Sequence, residues 1–256
     1  MRCHLESVVA MATRPSESHG EIASLSSVGT ITVWSLKTHE ELFDFAIPDD
    51  RAISAAYHPQ HNTLACGFAS GFVRVFDVDT AEVTCARQQH SDTVSGVCVS
   101  PDGERMFSVG DDGLLVLYDV LRDHAPVRVI HVAQAGARVC MTMSADGERL
   151  AYTGPAPHMV CVVHGITLDE IMAVDLRPQG LASGVAFSLA HIAYSAGGEA
   201  IFAVSRCGRL MRLSVATGDI EADVSRAHSK PVTALAVHPD GRFLVTGCED
   251  ASVTVS

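Results

Sequence analysis

His90, Ser108 and Asp112 are the residues of this chain whose types could together do chemistry. A hydroxyl nucleophile, an imidazole to take its proton and a carboxylate to orient the imidazole are the parts of a hydrolytic relay. The same types return as His228, Thr246 and Asp250, with the hydroxyl 18 and the carboxylate 22 residues after the histidine in both sets. A catalytic centre is not duplicated at a fixed spacing, whereas a structural set in a repeating unit is. The expected role is therefore structural: the aspartate accepts from the histidine and from turn amides, and buried polar groups are satisfied.

Metal and nucleotide chemistry find less support. Thirteen histidines include the close pairs His58/His61, His124/His131 and His158/His164, none in an HExxH arrangement or at zinc-finger spacing. His58 and His238 each precede a proline in what reads as the same turn, which the repeat explains better than ligation does. Eight cysteines, at 3, 66, 85, 98, 140, 161, 207 and 248, show no CxxC and read as buried free thiols. The paired acids Asp49-Asp50 and Asp111-Asp112 fall in turns or loops, where solvated carboxylates are expected. No glycine-rich loop ends in Lys-Ser/Thr, so no metal, cofactor or nucleotide is expected.

The elements that position these residues are short strands. From His90 to Asp119 the chain reads as strand Thr93–Ser100, turn Pro101–Glu104, strand Arg105–Gly110, turn Asp111–Gly113 and strand Leu114–Asp119, with Val127–Ala133 as an outer fourth strand. The order recurs, and the bulky residue near the close of each third strand falls at Trp34, Phe76, Tyr118, Val163 and Leu213, 42 to 50 residues apart, with Ser256 in that place in the last unit. This period in short strands marks an all-β β-propeller of four-stranded antiparallel blades. Blades are expected near 5–45, 52–87, 93–133, 137–176 and 183–225, with an incomplete one at 232–256.

The pattern resembles the WD40 family along essentially the whole chain. The family's tetrad joins a histidine, a second-strand Ser or Thr, a turn Asp and a third-strand Trp, and His90, Ser108, Asp112 and Tyr118 match it in one blade. His228, Thr246 and Asp250 match it in the last; elsewhere it decays, with Ser70 and Val28 where Asp is expected. A propeller of this family closes its last sheet with a strand from the other terminus. The missing partner strand at Ser256 leads us to expect a segment of a longer propeller, whose remaining blades are its partners and whose edges, alone, promote aggregation or a gapped ring.

Composition bounds the function classes. Hydrophobic residues make up 47% of the 256, aromatics 5% and charged residues 19%, as suits many small-residue strands. The net charge of −12 argues against nucleic acid as a partner, because phosphate binding needs a basic surface. No apolar stretch reaches the 18 residues of a membrane span, and Met1–Glu6 lacks a signal-peptide core, so an intracellular protein without a membrane partner is expected.

What remains is surface for binding proteins. Loops at 48–51, 88–92, 134–138, 177–180 and 226–231 are expected to gather on one face. Arg51, Arg138, Arg177 and Lys230 on that face are candidate contacts for an acidic segment. Glu41–Phe45, Cys66–Phe72 and Leu168–Leu176, with the non-Trp Phe76, resemble the large centriolar and ciliary WD-repeat proteins. That resemblance implies a non-catalytic scaffold at the centriole, basal body or cilium, with scaffold proteins or tubulin as partners. A rival interaction role is substrate receptor of a ubiquitin ligase, which resembles other such receptors by Asp-x-Arg after the third-strand aromatic. Here Asp79 and Leu121 stand in the place of that Arg.

Overall fold

A computed structural model describes residues 6–14, 20–177, 187–224, 228 and 230–255. The expected blade ends at 5, 183, 225 and 256 lie outside them. The described residues form six antiparallel sheets, each made of strands that follow one another in the chain, as in a β-propeller. The first sheet is β1 (Val8–Thr13), β2 (Glu21–Ser26), β3 (Ile31–Ser35) and β4 (Glu41–Phe45); the second is β5 (Ala52–Tyr57), β6 (Thr63–Phe68), β7 (Phe72–Asp77) and β8 (Val83–Gln88). The third is β9 (Val94–Val99), β10 (Arg105–Gly110), β11 (Leu114–Asp119) and β12 (Ala125–His131), with a 3-10 turn at Val120–Arg122. The fourth is β13 (Met141–Met143), β14 (Arg149–Thr153), β15 (Met159–His164) and β16 (Glu170–Asp175). The fifth is β17 (Leu189–Tyr194), β18 (Ala200–Ser205), β19 (Leu210–Ser214) and β20 (Ile220–Val224). The last has three strands among the described residues, β21 (Val232–Val237), β22 (Leu244–Cys248) and β23 (Val253–Val255).

The chain divides into two compact units, Met1–Val139 and Cys140–Ser256. Inside each, the first strand of a blade wedges against the first two strands of the blade before it: β5 against β1 and β2, β9 against β5 and β6, β17 against β13 and β14, β21 against β17 and β18. The cores accordingly lie between sheets. In the first unit Leu25, Ile31 and Val33 pack with Tyr57, Leu64 and Phe76, and Val73 and Val75 pack with Val97, Met106 and Tyr118. In the second, Val160 and Val162 pack with Ile192, Ile201 and Leu213. Burial is greatest in middle strands such as β10 and β11 and least in an outer strand such as β20, so the middle strand β11 is a continuous apolar run and the outer β20 alternates with polar residues.

A bulge recurs where the third strand meets the fourth, at Trp34, Phe76, Tyr118, Val163 and Leu213. The bulky residue therefore marks a fixed place in the ladder as well as a size class, since the extra residue opposite it turns the outer strand away.

In the second, third and fifth blades the chain leaving the blade crosses over that blade's hairpin turn, and glycine makes room for it. A Cβ on Gly71 would lie 2.2 Å from the His90 carbonyl oxygen, and one on Gly208 would lie 2.3 Å from that of His228. Both glycines hold left-handed φ, +83° and +81°. Gly71→Ala should therefore lower stability by about 2 kcal/mol or more. Gly247→Ala, where the nearest atom is an ordinary 3.6 Å away, should change it by less than about 1 kcal/mol. Urea midpoints of the two variants check this, and equal losses would contradict it.

Candidate functional site

In the third blade the four tetrad residues form one hydrogen-bonded line. Asp112 accepts from His90 Nδ1 at 3.0 Å, which leaves His90 Nε2 to accept the Ser108 hydroxyl at 2.7 Å. The Tyr118 hydroxyl lies 3.0 Å from Ser108 Oγ and completes the line as its donor. Asp112 also accepts the backbone N–H groups of Ser91 at 2.9 Å and Leu114 at 3.1 Å, so it fastens the loop before the blade to the turn within it. Burial works against ionised Asp112, but the bonds from His90 and the two amides outweigh it and hold the carboxyl below its ordinary range. Burial pushes the Tyr118 phenol up to about 12.

This line cannot serve as a hydrolytic relay. Ser108 is 0% exposed, and its hydroxyl is engaged on both sides, so no carbonyl can reach it. In the last blade His228 Nε2 meets Thr246 Oγ1 at 2.6 Å. Its Nδ1 meets Ser252 Oγ at 3.3 Å, and that hydroxyl donates to Asp250 at 2.5 Å, so a serine that the spacing did not single out joins histidine to aspartate.

Where the motif decays, other residues take over its work. Trp34 Nε1 donates to Ser24 Oγ at 2.8 Å in the first blade. In the second, Ser70 stands in the aspartate's place, and Asp50 from the preceding loop accepts from its N–H at 3.2 Å and its hydroxyl at 2.5 Å. Arg74 donates to the same carboxylate at 2.6 Å and lies over the rings of Phe68 and Phe72, 4.3 and 4.6 Å from their centroids. Sequence reading missed this cluster because Asp50 belongs to the loop leading into the blade. It also corrects the expectation of solvated acids: the side chains of Asp50 and Asp112 are only 9% and 6% exposed.

The histidine pairs separate into structural contacts. His58 Nδ1 accepts from the amides of Gln60 and His61, and its Nε2 donates to the Gly103 carbonyl of the next blade at 3.0 Å. Burial pulls its pKa below the ordinary histidine value, which suits a neutral ring used in this way. His158 faces Asp175, and His164 faces Glu148. His228, Cys248 and Asp250 are near enough to share a cation, but both ring nitrogens of His228 are already committed. Seven cysteines are free; Cys66, Cys85, Cys161 and Cys248 are buried, whereas Cys207 is exposed, which corrects the uniform expectation. Cys3 lies outside the described residues.

Arg51, Arg138, Arg177 and Lys230 are all exposed. Arg177 is bound by Asp175 at 2.5 Å, and the charge of Arg138 is felt by Asp111. Arg51 and Arg138 belong to one compact unit, Arg177 and Lys230 to the other. Of the expected loop face, residues 178–180, 226, 227 and 229 lie outside the described residues. In the second unit a cleft of about 270 Å³ is lined by Thr142, Met143, Tyr194, Ser195, His238 and Pro239 among others. Ser195 and His238 are the first residues of equivalent hairpin turns, each amide bonded five residues on, so the blade period accounts for them. No helix among the described residues is long and apolar enough to cross a membrane.

Comparison with known proteins agrees with this geometry. Residues 15–255 match the family described as WDR90/POC16, second beta-propeller. The chain is 31% identical to human WD repeat-containing protein 90 over 95% of its length and 29% identical to the Xenopus tropicalis protein of that name over 96%. It is 32% identical to Centriole proteome protein 16 of Chlamydomonas reinhardtii over 75% of its length. The chain spans 14% of each of the first two relatives and 9% of the algal one.

Ser108→Ala strands both His90 and Tyr118 and should cost about 1–3 kcal/mol, whereas Tyr118→Phe leaves the Ser108–His90 bond and should cost about 0.5–1.5 kcal/mol. Urea denaturation separates the two. Because the folded-state pKa of Asp112 is depressed, its contribution is complete above about pH 4 and is lost as pH falls through the folded value. The gap in urea midpoint between wild type and Asp112→Asn should therefore narrow as pH falls below about 4; a gap that is constant with pH would contradict it.

Proposed function

This chain belongs to the WDR90/POC16 family, as its second β-propeller, and from that membership we propose that it is a non-catalytic scaffold segment of a centriole, basal-body or ciliary assembly. The observation that carries the reading is the similarity to Centriole proteome protein 16 over 75% of the chain. The sealed Ser108 supports it, because the grouping most like a catalytic relay is used to hold a blade together. The partners are proteins, met by loop surfaces that carry Arg51, Arg138, Arg177 and Lys230, and by the remaining blades of the same polypeptide.

A net charge of −12 opposes contact with acidic tubulin tails and with nucleic acid. It favours another scaffold protein, or the folded body of tubulin, as the surface met at the microtubule wall. No observation favours the ubiquitin-ligase reading. Asp79 accepts from Asn62 at 2.6 Å within its own blade, and Leu121 is 75% exposed where that role needs arginine.

A fluorescent tag on the endogenous protein that carries this chain tests the reading. Enrichment at centrioles or basal bodies is expected, and a diffuse signal throughout the cell cycle contradicts it. The chain immobilised and incubated with assembled microtubules, with and without centriolar extract, then separates the two partner classes. Retention of microtubules only with extract is expected for a scaffold contact, and retention by the chain alone for the tubulin body.

A further inference from the structure

Cys85 lies on β8, the outer strand of the second blade, and Asp123 and His124 lie in the connection between β11 and β12 of the third. One ligand atom from each, thiol, carboxylate and imidazole, lies within 4.8 Å of the others. We propose that these three residues form a site for a single divalent cation of the zinc type.

The donor set is the first reason. One thiolate, one imidazole and one carboxylate are the ligand classes that a tetrahedral zinc takes, with the fourth position open. Bonds of about 2.0–2.3 Å put the ligand atoms around one ion roughly 3.3–3.8 Å apart, which small side-chain rotations reach from the present separations. Thiolate and carboxylate together bring two negative charges to the ion, one of them shared with Arg87.

An unpartnered ring nitrogen on one of the three residues is the second reason. His124 Nδ1 is buried and has no hydrogen-bond partner, a state that costs free energy unless something binds it.

The backbone is the third. Asp123 and His124 both hold left-handed φ, 52° and 53°, which a non-glycine residue adopts at a cost. Arg87, also on β8, holds them there: it donates to the Asp123 carbonyl at 2.5 Å, to Asp123 Oδ2 at 2.6 Å and to the His124 carbonyl at 3.4 Å. Arg87 thus positions the loop and carboxylate from behind. The Asp123 side chain is 80% exposed and Cys85 is buried, so the open side of the site faces solvent. Three protein ligands beside a guanidinium place the affinity below that of a closed four-ligand centre. A bound ion would tie the outer strand of one blade to the next, where β8 and the loop now meet chiefly through Arg87.

The full chain, stripped of metal with a chelator, is titrated with zinc alone by calorimetry and with cobalt by absorption. One zinc equivalent and a near-ultraviolet thiolate-to-cobalt band are expected. Cys85→Ser should abolish the band and His124→Gln should weaken zinc binding at least ~10-fold, while Cys248→Ser in the last blade leaves both signals intact. Asp123→Asn keeps the test open if Cys85→Ser does not fold, because the side chain is exposed and asparagine accepts the left-handed backbone; it too should weaken binding at least ~10-fold. Absence of a saturable equivalent, a band that survives Cys85→Ser, or unchanged binding in Asp123→Asn would overturn the assignment.

Discussion

Each blade can bury its faces only against a neighbour, so the structure depends on how the chain is fastened as it passes from one blade to the next. His90 and His228 are where that fastening is most complete. The carbonyl of His90 rests on Gly71 of the second blade, while its ring is locked between Ser108 and Asp112 of the third. His228 repeats the arrangement, with its carbonyl on Gly208 of the fifth blade and its ring on Thr246 of the last. One residue thus fixes two blades, through the backbone on one side and the side chain on the other. The glycine is required because any Cβ would occupy the space of that carbonyl.

The interaction is strong because it is buried and fully paired. Each member of the line from Tyr118 to Asp112 has a partner, so none carries the penalty of an unmet polar group. The same completeness denies it catalysis: the serine that would attack is enclosed, and the imidazole is held in one tautomer. Where the histidine is missing, the second blade uses Asp50 and Arg74 for a comparable link between loop, turn and strand. The scaffold reading is consistent with this, since the polar chemistry inside the blades serves their cohesion.

Much of the fold was legible because a β-period and its turns are local properties. Pro101–Glu104 and Asp111–Gly113 mark reversals whatever surrounds them, and the structure places strands at Arg105–Gly110 and Leu114–Asp119 on either side of the second. The third-blade line was legible because its members recur at fixed offsets. What escaped is what crosses between blades or replaces a lost member. Asp50 serves the turn at Ser70 from 20 residues away, and Ser252 enters the last blade's set without a counterpart in the third. Cys85 and His124 meet only because adjacent blades are in contact, and a repeat shows which residues share a blade without showing which face one another across two.

The most direct test of the account is native-state hydrogen exchange at the Ser91 and Leu114 amides, which Asp112 joins across the loop and turn. If the histidine-centred line fastens the blades, both amides exchange as slowly as the β10–β11 ladder, and Asp112→Asn releases them together. If they exchange at the rate of free loop amides while the ladder stays protected, the blades are held by apolar packing alone and the account is wrong.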